Sequence, residues 1–488
     1  MESYNLMMRF ERAPLFTMAQ ATADGDLVPP SSMPPIASVL SVSGQATAAA
    51  TPQNGLMAVD GAVTLSVVYV CANGRVHGFD SLAVFKHDVE LIGAKPAMHC
   101  LVSASVGEIT HRLSGGTLNV HALVLLSLTA RENTELDAIE SVRDAQTRSM
   151  AVDICTIDSA GDELTLREDA RLPRVADKLL GISGFARTTD VTIESGKAIV
   201  DGMLKVDALF TTPDGTLVQS PLTVPFTHRI LIPGTTENVA AFARILSLNA
   251  VLVDEDIISI DALLELTLLL HEKRHCELLE DAYSTTEIIK CEKAILPVVD
   301  SSAVSCRTTL RLSTTVPEGM PPAERTLVAL TRPELHTSSA MHGKISLSGH
   351  IYASLVYVCH EGNLHGFSVK VPFEAECEAP SMIDTSTLSL DANCELIHAG
   401  ANHMEIPLQL MLDVSAAGWK IENANVITSL STAERPEPQY GPMIYFPTPD
   451  EGLWEVGKRF GLTIDELKRL NPSSDAPRAV LINSKRGA

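Results

Sequence analysis

Two short constellations in this chain have residue types and spacings that could do chemistry. His271-Glu272-Lys273-Arg274-His275 fits the zinc-protease pattern, in which two imidazoles four residues apart hold the metal and the glutamate activates its water. That chemistry needs a helix, which brings both imidazoles to one ion. Here the pentapeptide leaves an apolar run, residues 258–270, that reads as a β-strand, and its counterparts in two related segments, Arg131-Glu132 and Ala416-Ala417, carry no ligands. A solvated strand exit is the expected role. The second constellation is a pair of His-Gly-Phe triplets, His77 and His365, beside Cys71 and Cys359. A thiolate–imidazole nucleophile needs a third, orienting group, and none is apparent. Ordinary strand positions near a hairpin are expected there.

The known phosphate and nucleophile signatures are missing. There is no GxSxG elbow, GxxxxGK[ST] loop or GxGxxG fingerprint, and Ser195-Gly196-Lys197 lacks the upstream glycine. The sequence therefore predicts no catalytic residue, cofactor or metal. The chain has 488 residues, 45% hydrophobic but only 4% aromatic, so its cores must be aliphatic and β-branched. A net charge of −23 argues against nucleic acid and against docking on anionic lipid by charge alone. Nine cysteines without a CxxC pair suit a reducing compartment better than a disulfide scaffold. MESYNLMMRFERAPLF does not read as a secretory signal, and the apolar run LTLLL is too short to span a bilayer.

The elements that position these residues come in three copies. LSVVYVCANGRVHGF at 65–79 and ASLVYVCHEGNLHGF at 353–367 are identical at 9 of 15 positions, offset by 288. VDALFTTPDGTLVQS at 206–220 keeps the same grammar: Tyr69, Phe210 and Tyr357 align, as do Gly74, Gly215 and Gly362. Downstream, Val84-Phe85, Pro225-Phe226 and Pro372-Phe373 fall in register; upstream, Val59-Asp60-Gly61 matches Val200-Asp201-Gly202. Alternating apolar residues predict strands, and the glycines predict tight hairpin turns. A later apolar strand follows in each copy, at 118–130, 258–270 and 406–414. Each copy is expected to open with a short strand (5–10, 163–167, 308–312) and a proline-led helical turn (34–40, 172–180, 321–330).

The last 49 residues differ. Residues 440–488 hold seven basic and six acidic residues, so the acidity lies upstream, and the proline-rich ERPEPQYGP reads as a linker. The tail predicts β-α-α-β: a strand at 443–446, a helix with Leu453, Val456 and Phe460 on one face stopped by Gly461, a second helix opened by a Thr463/Glu466 capping box, a stop at Asn471-Pro472, and a strand at 480–482. Trp454 beside Leu453 reads equally as a packing residue or as a partner-binding anchor.

GLTIDELKRLNP and LWEVGKRFG resemble the two helices of the LysM domain. That resemblance implies a shallow groove for N-acetylglucosamine-containing glycans between two loops, here Thr448, Asp450, Glu451, Gly452, Leu453 and Trp454 on one side and Asn471, Pro472 and Ser473 on the other. Asp450-Glu451-Gly452 stands where the family has Gly-Asp-Thr, and the family's Gly-Gln before the last strand is absent. The three copies resemble the SPOCS domain of spore-forming bacteria, carried by the strand–(D/N/E)G–strand–(V/P)F pattern. Three such copies followed by one LysM module resemble the spore-coat assembly proteins of anaerobic spore formers. The fold expected is mainly β with short helices: sandwich-like repeats at 1–137, 160–283 and 305–432, then a βααβ module at 440–485. The resemblance implies a non-enzymatic adaptor in the mother cell at the forespore surface, whose LysM module engages the spore-coat morphogenetic ATPase. Peptidoglycan is the alternative ligand.

Overall fold

A computed structural model describes residues 2–233, 238–385, 387–436, 442–472 and 479–482. The chain begins with β1 (Ser3–Glu11). A first unit follows: β2 (Leu15–Leu27), β3 (Ile36–Gln53), β4 (Leu56–Cys71), β5 (Val76–Glu90), β6 (His99–Ser114) and β7 (Thr117–Arg131), with β8 (Asn133–Val142) after it. β3-β4-β5 form one antiparallel sheet and β2-β7-β6 the other. Alternation drives the pairing of these sheets. Val63, Leu65, Val67 and Tyr69 of β4 and Leu118, Ala122, Val124 and Leu128 of β7 are fully buried and share one core.

The second unit repeats this plan with β9 (Gln146–Arg171), β10 (Lys178–Glu194), β11 (Lys197–Thr211), β12 (Leu217–Leu231), β13 (Asn238–Asp254) and β14 (Ile257–Tyr283). The third does so with β15 (Glu287–Thr315), β16 (Ala323–Met341), β17 (Lys344–Cys359), β18 (Leu364–Glu378), β19 (Leu388–Ala399) and β20 (Glu405–Glu434). Sheets β10-β11-β12 and β9-β14-β13 mirror the first unit, as do β16-β17-β18 and β15-β20-β19. The chain is thus mainly β, and the apolar run at 258–270 is a strand, as its repeat counterparts required.

The hairpin glycines behave as their sequence predicts. Gly74, Gly215 and Gly362 take φ of 80°, 79° and 79°, which β-carbon-bearing residues rarely adopt. A second glycine position has a different cause. Gly61, Gly202 and Gly349 lie directly across from Phe85, Phe226 and Phe373. A β-carbon on Gly61 would sit 2.2 Å from the Phe85 ring, and one on Gly202 the same distance from Phe226. The aligned glycines and the aligned phenylalanines are one cross-strand device.

Three expectations are corrected. The proline-led segments open strands, not helical turns: β3 starts at Ile36, β10 at Lys178 and β16 at Ala323. In the outer copies the carbonyls of Pro34 and Pro321 accept hydrogen bonds from the Tyr69 and Tyr357 hydroxyls at 2.7 and 2.8 Å, fixing each strand entry. The first copy's opening strand is β2; residues 5–10 belong to β1, which pairs with β8 outside the sandwich. Third, β14 does not end at His271. It runs to Tyr283, its second half paired with residues 146–156 of β9, and β20 likewise runs on beside 287–300 of β15.

These extensions join the units. The ribbons β1-β8, β9-β14 and β15-β20 bury Met8, Phe10, Val152, Ile154, Leu278, Leu296 and Val426 in one shared core. At the other end Leu40, Val68, Leu180, Leu209, Val328 and Val356 make a second core from all three units. Between them, Gly78 packs on the Leu180 carbonyl, Gln219 bonds the Ala329 backbone at 2.8 and 3.3 Å, and Gly366 packs on the Leu40 carbonyl. Those three residues are repeat equivalents, so each unit meets the next through the same position and the third meets the first.

Candidate functional site

The C-terminal module is β21 (Met443–Tyr445), α1 (Leu453–Phe460), α2 (Ile464–Leu470) and β22 (Val480–Ile482), with β21 antiparallel to β22. Gly461 ends α1 at φ 68°, and the Thr463 hydroxyl accepts from Glu466 N while the Glu466 carboxylate accepts from Thr463 N. Leu453, Val456, Leu467, Val480 and Ile482 are buried together. Most of ERPEPQYGP lies outside the described residues.

The expected groove is braced. Glu451 accepts from Tyr445 Oη at 2.8 Å and from Thr448 N at 3.1 Å, and it pairs with Arg459. The loop-closing backbone bond and the Tyr445 hydroxyl hold its carboxyl below the usual range, so the loop carries a fixed anion. Gly452 N donates to Glu455 at 2.9 Å, capping α1. On the other side, the Asn471 side chain bonds the Leu467 and Leu481 carbonyls at 2.9 and 3.0 Å and Leu481 N at 2.8 Å, tying the end of α2 to β22. Thr448, Asp450 and Pro472 are exposed. Leu453 is core, and Ser473 lies outside the described residues. Ile444, Phe446 and Leu481 are 62%, 70% and 41% exposed, an apolar surface beside this loop.

Trp454 points away from that surface, onto the second unit. Its indole N–H donates to Asp281 at 2.9 Å and its ring meets Tyr283 edge-on at 4.9 Å, with the Arg148 guanidinium 5.4 Å from its centre. Lys458 pairs with Asp281 at 2.6 Å, Arg148 with Glu455 at 3.2 Å, and the Tyr283 hydroxyl donates to the Leu462 carbonyl at 2.8 Å. Burial alone would raise Asp281; the Lys458 and Trp454 hydrogen bonds outweigh it and keep it ionised. Burial pushes the Tyr283 hydroxyl up to about 12, so it remains a donor. Gly457 makes the contact possible, because a β-carbon there would lie 2.4 Å from the Tyr283 oxygen. The sequence shows Trp454 but not this seat, since Asp281 and Tyr283 lie over 170 residues upstream of their partners.

The His271–His275 motif does not assemble. Four steps along a strand put the two histidines about 13 Å apart, far beyond two ligands of one ion. His275 is exposed and bonds Asp153 at 2.9 Å. His271 is buried, and its Nε2 accepts from Arg131 Nη1 at 2.9 Å. The third counterpart is Trp419 rather than Ala416, because the inward residues of β20 start at Ile406 where those of β14 start at Ile258. Arg131, His271 and Trp419 are therefore equivalent positions of three strands, and they meet: the Arg131 guanidinium lies 5.4 Å from the Trp419 ring and 3.3 Å from buried Glu11. The Cys-His pairs do not form a nucleophile either. The Cys71 thiol donates to Asn73 Oδ1 at 2.7 Å within its turn, and His77 and His365 stack on Tyr69 and Tyr357 at 5.8 and 5.6 Å.

Among the described residues no helix is long and apolar enough to cross a membrane. No curated protein and no solved structure matches the chain. One family model does, over residues 35–114, which span β3 to β6 of the first unit. Its description is SipL, SPOCS domain, and this segment of the chain is similar to that domain.

Proposed function

We propose that the protein is a non-enzymatic spore-coat morphogenetic adaptor. The SPOCS match implies a role in spore-coat assembly. Three units closed on one another supply a rigid body, and the terminal module, read as a LysM domain, is the recruiting end. The observation that carries this reading is the orientation of that module. α1 anchors it to the second unit through Trp454 and Lys458, while Thr448, Pro449, Asp450, Pro472 and the apolar side chains of Ile444, Phe446 and Leu481 stay accessible. An apolar centre with a polar surround is what a protein partner recognises. The partner proposed is the coat basement-layer ATPase, met in the mother cell at the forespore surface.

A pull-down from sporulating cells tests this. The full chain is expected to recover the coat ATPase, and chains ending at residue 439 or carrying Phe446→Ala with Ile444→Ser are expected to lose it. Recovery that is unchanged by truncation would assign recruitment to the sandwiches. Co-sedimentation with purified peptidoglycan that depends on Asp450–Leu453 would favour the glycan reading instead.

A further inference from the structure

The third unit carries a side-chain group that its two siblings lack. Glu334 of β16 lies directly across from His350 of β17, and the register slips between Leu335 and Thr337, leaving His336 as the extra residue of a bulge. Bulges re-aim side chains, and this one brings His336 Nε2 to 3.2 Å from His350 Nδ1 and 3.5 Å from Glu334 Oε1. Donor atoms from all three residues lie within 4.8 Å of one another. At the equivalent cross-strand positions the first unit has Thr47 and Ala62, and the second has Arg187 and Met203.

We propose that Glu334, His336 and His350 bind one divalent transition-metal ion, with zinc the best fit. A tetrahedral ion with bonds of 2.0–2.1 Å holds its donors about 3.3 Å apart, close to the 3.2 and 3.5 Å by which His336 Nε2 already stands from His350 and Glu334. Two imidazoles and one carboxylate form a borderline donor set suited to zinc, cobalt or nickel rather than calcium or magnesium. Lys370 takes the other carboxylate oxygen, Oε2, at 2.9 Å, with its ammonium 4.8 Å from the Tyr352 ring, so Oε1 is left toward the histidines. Three protein ligands leave a fourth position for water or for a donor from a binding partner. His336 is exposed, so an ion has a route in.

The ordinary alternative is a chain of hydrogen bonds with no ion, and titration of the full-length, chelator-stripped protein separates the two. Calorimetry with zinc chloride should find a site of one equivalent, and cobalt(II) should give the visible absorption of a tetrahedral ion. His350→Ala and His336→Ala should each weaken the site at least tenfold, with unchanged far-ultraviolet circular dichroism. His275→Ala should leave it intact. Lys370→Met, which removes a cation beside the ion, should tighten it. Equal zinc uptake by the wild type and the His336→Ala/His350→Ala double variant would overturn the proposal, as would the absence of a stoichiometric site.

Discussion

Where the three long central strands converge, Arg131, His271 and Trp419 replace a repeated position with three different chemistries. A buried guanidinium needs a counter-charge and an acceptor: Glu11 supplies the charge 3.3 Å from its Nε, and the neutral His271 ring accepts from Nη1. Burial first, and then Arg131, lowers His271 from 6.5 to about 4. The sign follows: the unfolded chain binds this proton more readily, so stability is whole above pH 6.5 and is lost as the pH falls toward 4. The loss is at most about 3 kcal/mol. Burial holds Glu11 above the usual carboxylate range, so its protonation opposes part of that loss. Melting curves at pH 7 and pH 5 should show a fall in Tm that shrinks in His271→Gln, which keeps an acceptor for Arg131 but does not titrate. A fall of equal size in that variant would assign the acid sensitivity to other groups.

Among the elements, the glycine–phenylalanine pairs decide how closely each hairpin sheet can pack. Gly61→Ala would place a methyl against both the Phe85 ring and the Thr47 carbonyl, at 2.2 and 2.7 Å. The ring can swing but the backbone cannot. Denaturant unfolding should show a loss of about 1–3 kcal/mol, the usual cost of overpacking. Gly366→Ala meets backbone alone, the Leu40 carbonyl at 1.7 Å, across the seam between the third and first units. It should loosen that seam and speed hydrogen exchange in β3 more than in β11, which lies outside the seam. Both glycine sets were visible in the repeat alignment. Their reason was not, because Gly61 and Phe85 are 24 residues apart and face each other only once β4 and β5 pair.

For the whole molecule, the consequential contact is the seat of the terminal module. Trp454, Lys458 and Glu455 reach Asp281 and Arg148 near the ends of the second unit's ribbon. Gly457→Ala or Trp454→Ala should unseat the module without unfolding its own small core. In a Trp419→Phe background, Gly457→Ala should shift the fluorescence of Trp454 to the red. In both variants limited proteolysis should release residues 440–488 faster than in the wild type. If release is unchanged, the contact adds nothing to the position of the module. The mainly β fold, the hairpin turns, the capping box and the helices of the tail were legible because each is local: periodicity, a positive-φ glycine or a short-range hydrogen bond. The ribbons were not, because β9, β14, β15 and β20 carry on past the repeat with the same alternation. Only pairing shows where sandwich stops and ribbon begins.

The sequence by itself determined three related β units, a helical tail and the lack of any helical zinc motif at 271–275, since repeats and periodicity are properties of the chain read in order. The tertiary structure decided what equivalent positions do when three copies face one another. It turned the first histidine of a protease-like motif into an axial partner for Arg131, and it turned Trp454 inward to Asp281. It also gathered Glu334, His336 and His350 through a bulge that no spacing reveals. The reason is physical: side-chain distances across paired strands and between packed units depend on register and rotation, and neither is fixed until the units close on each other.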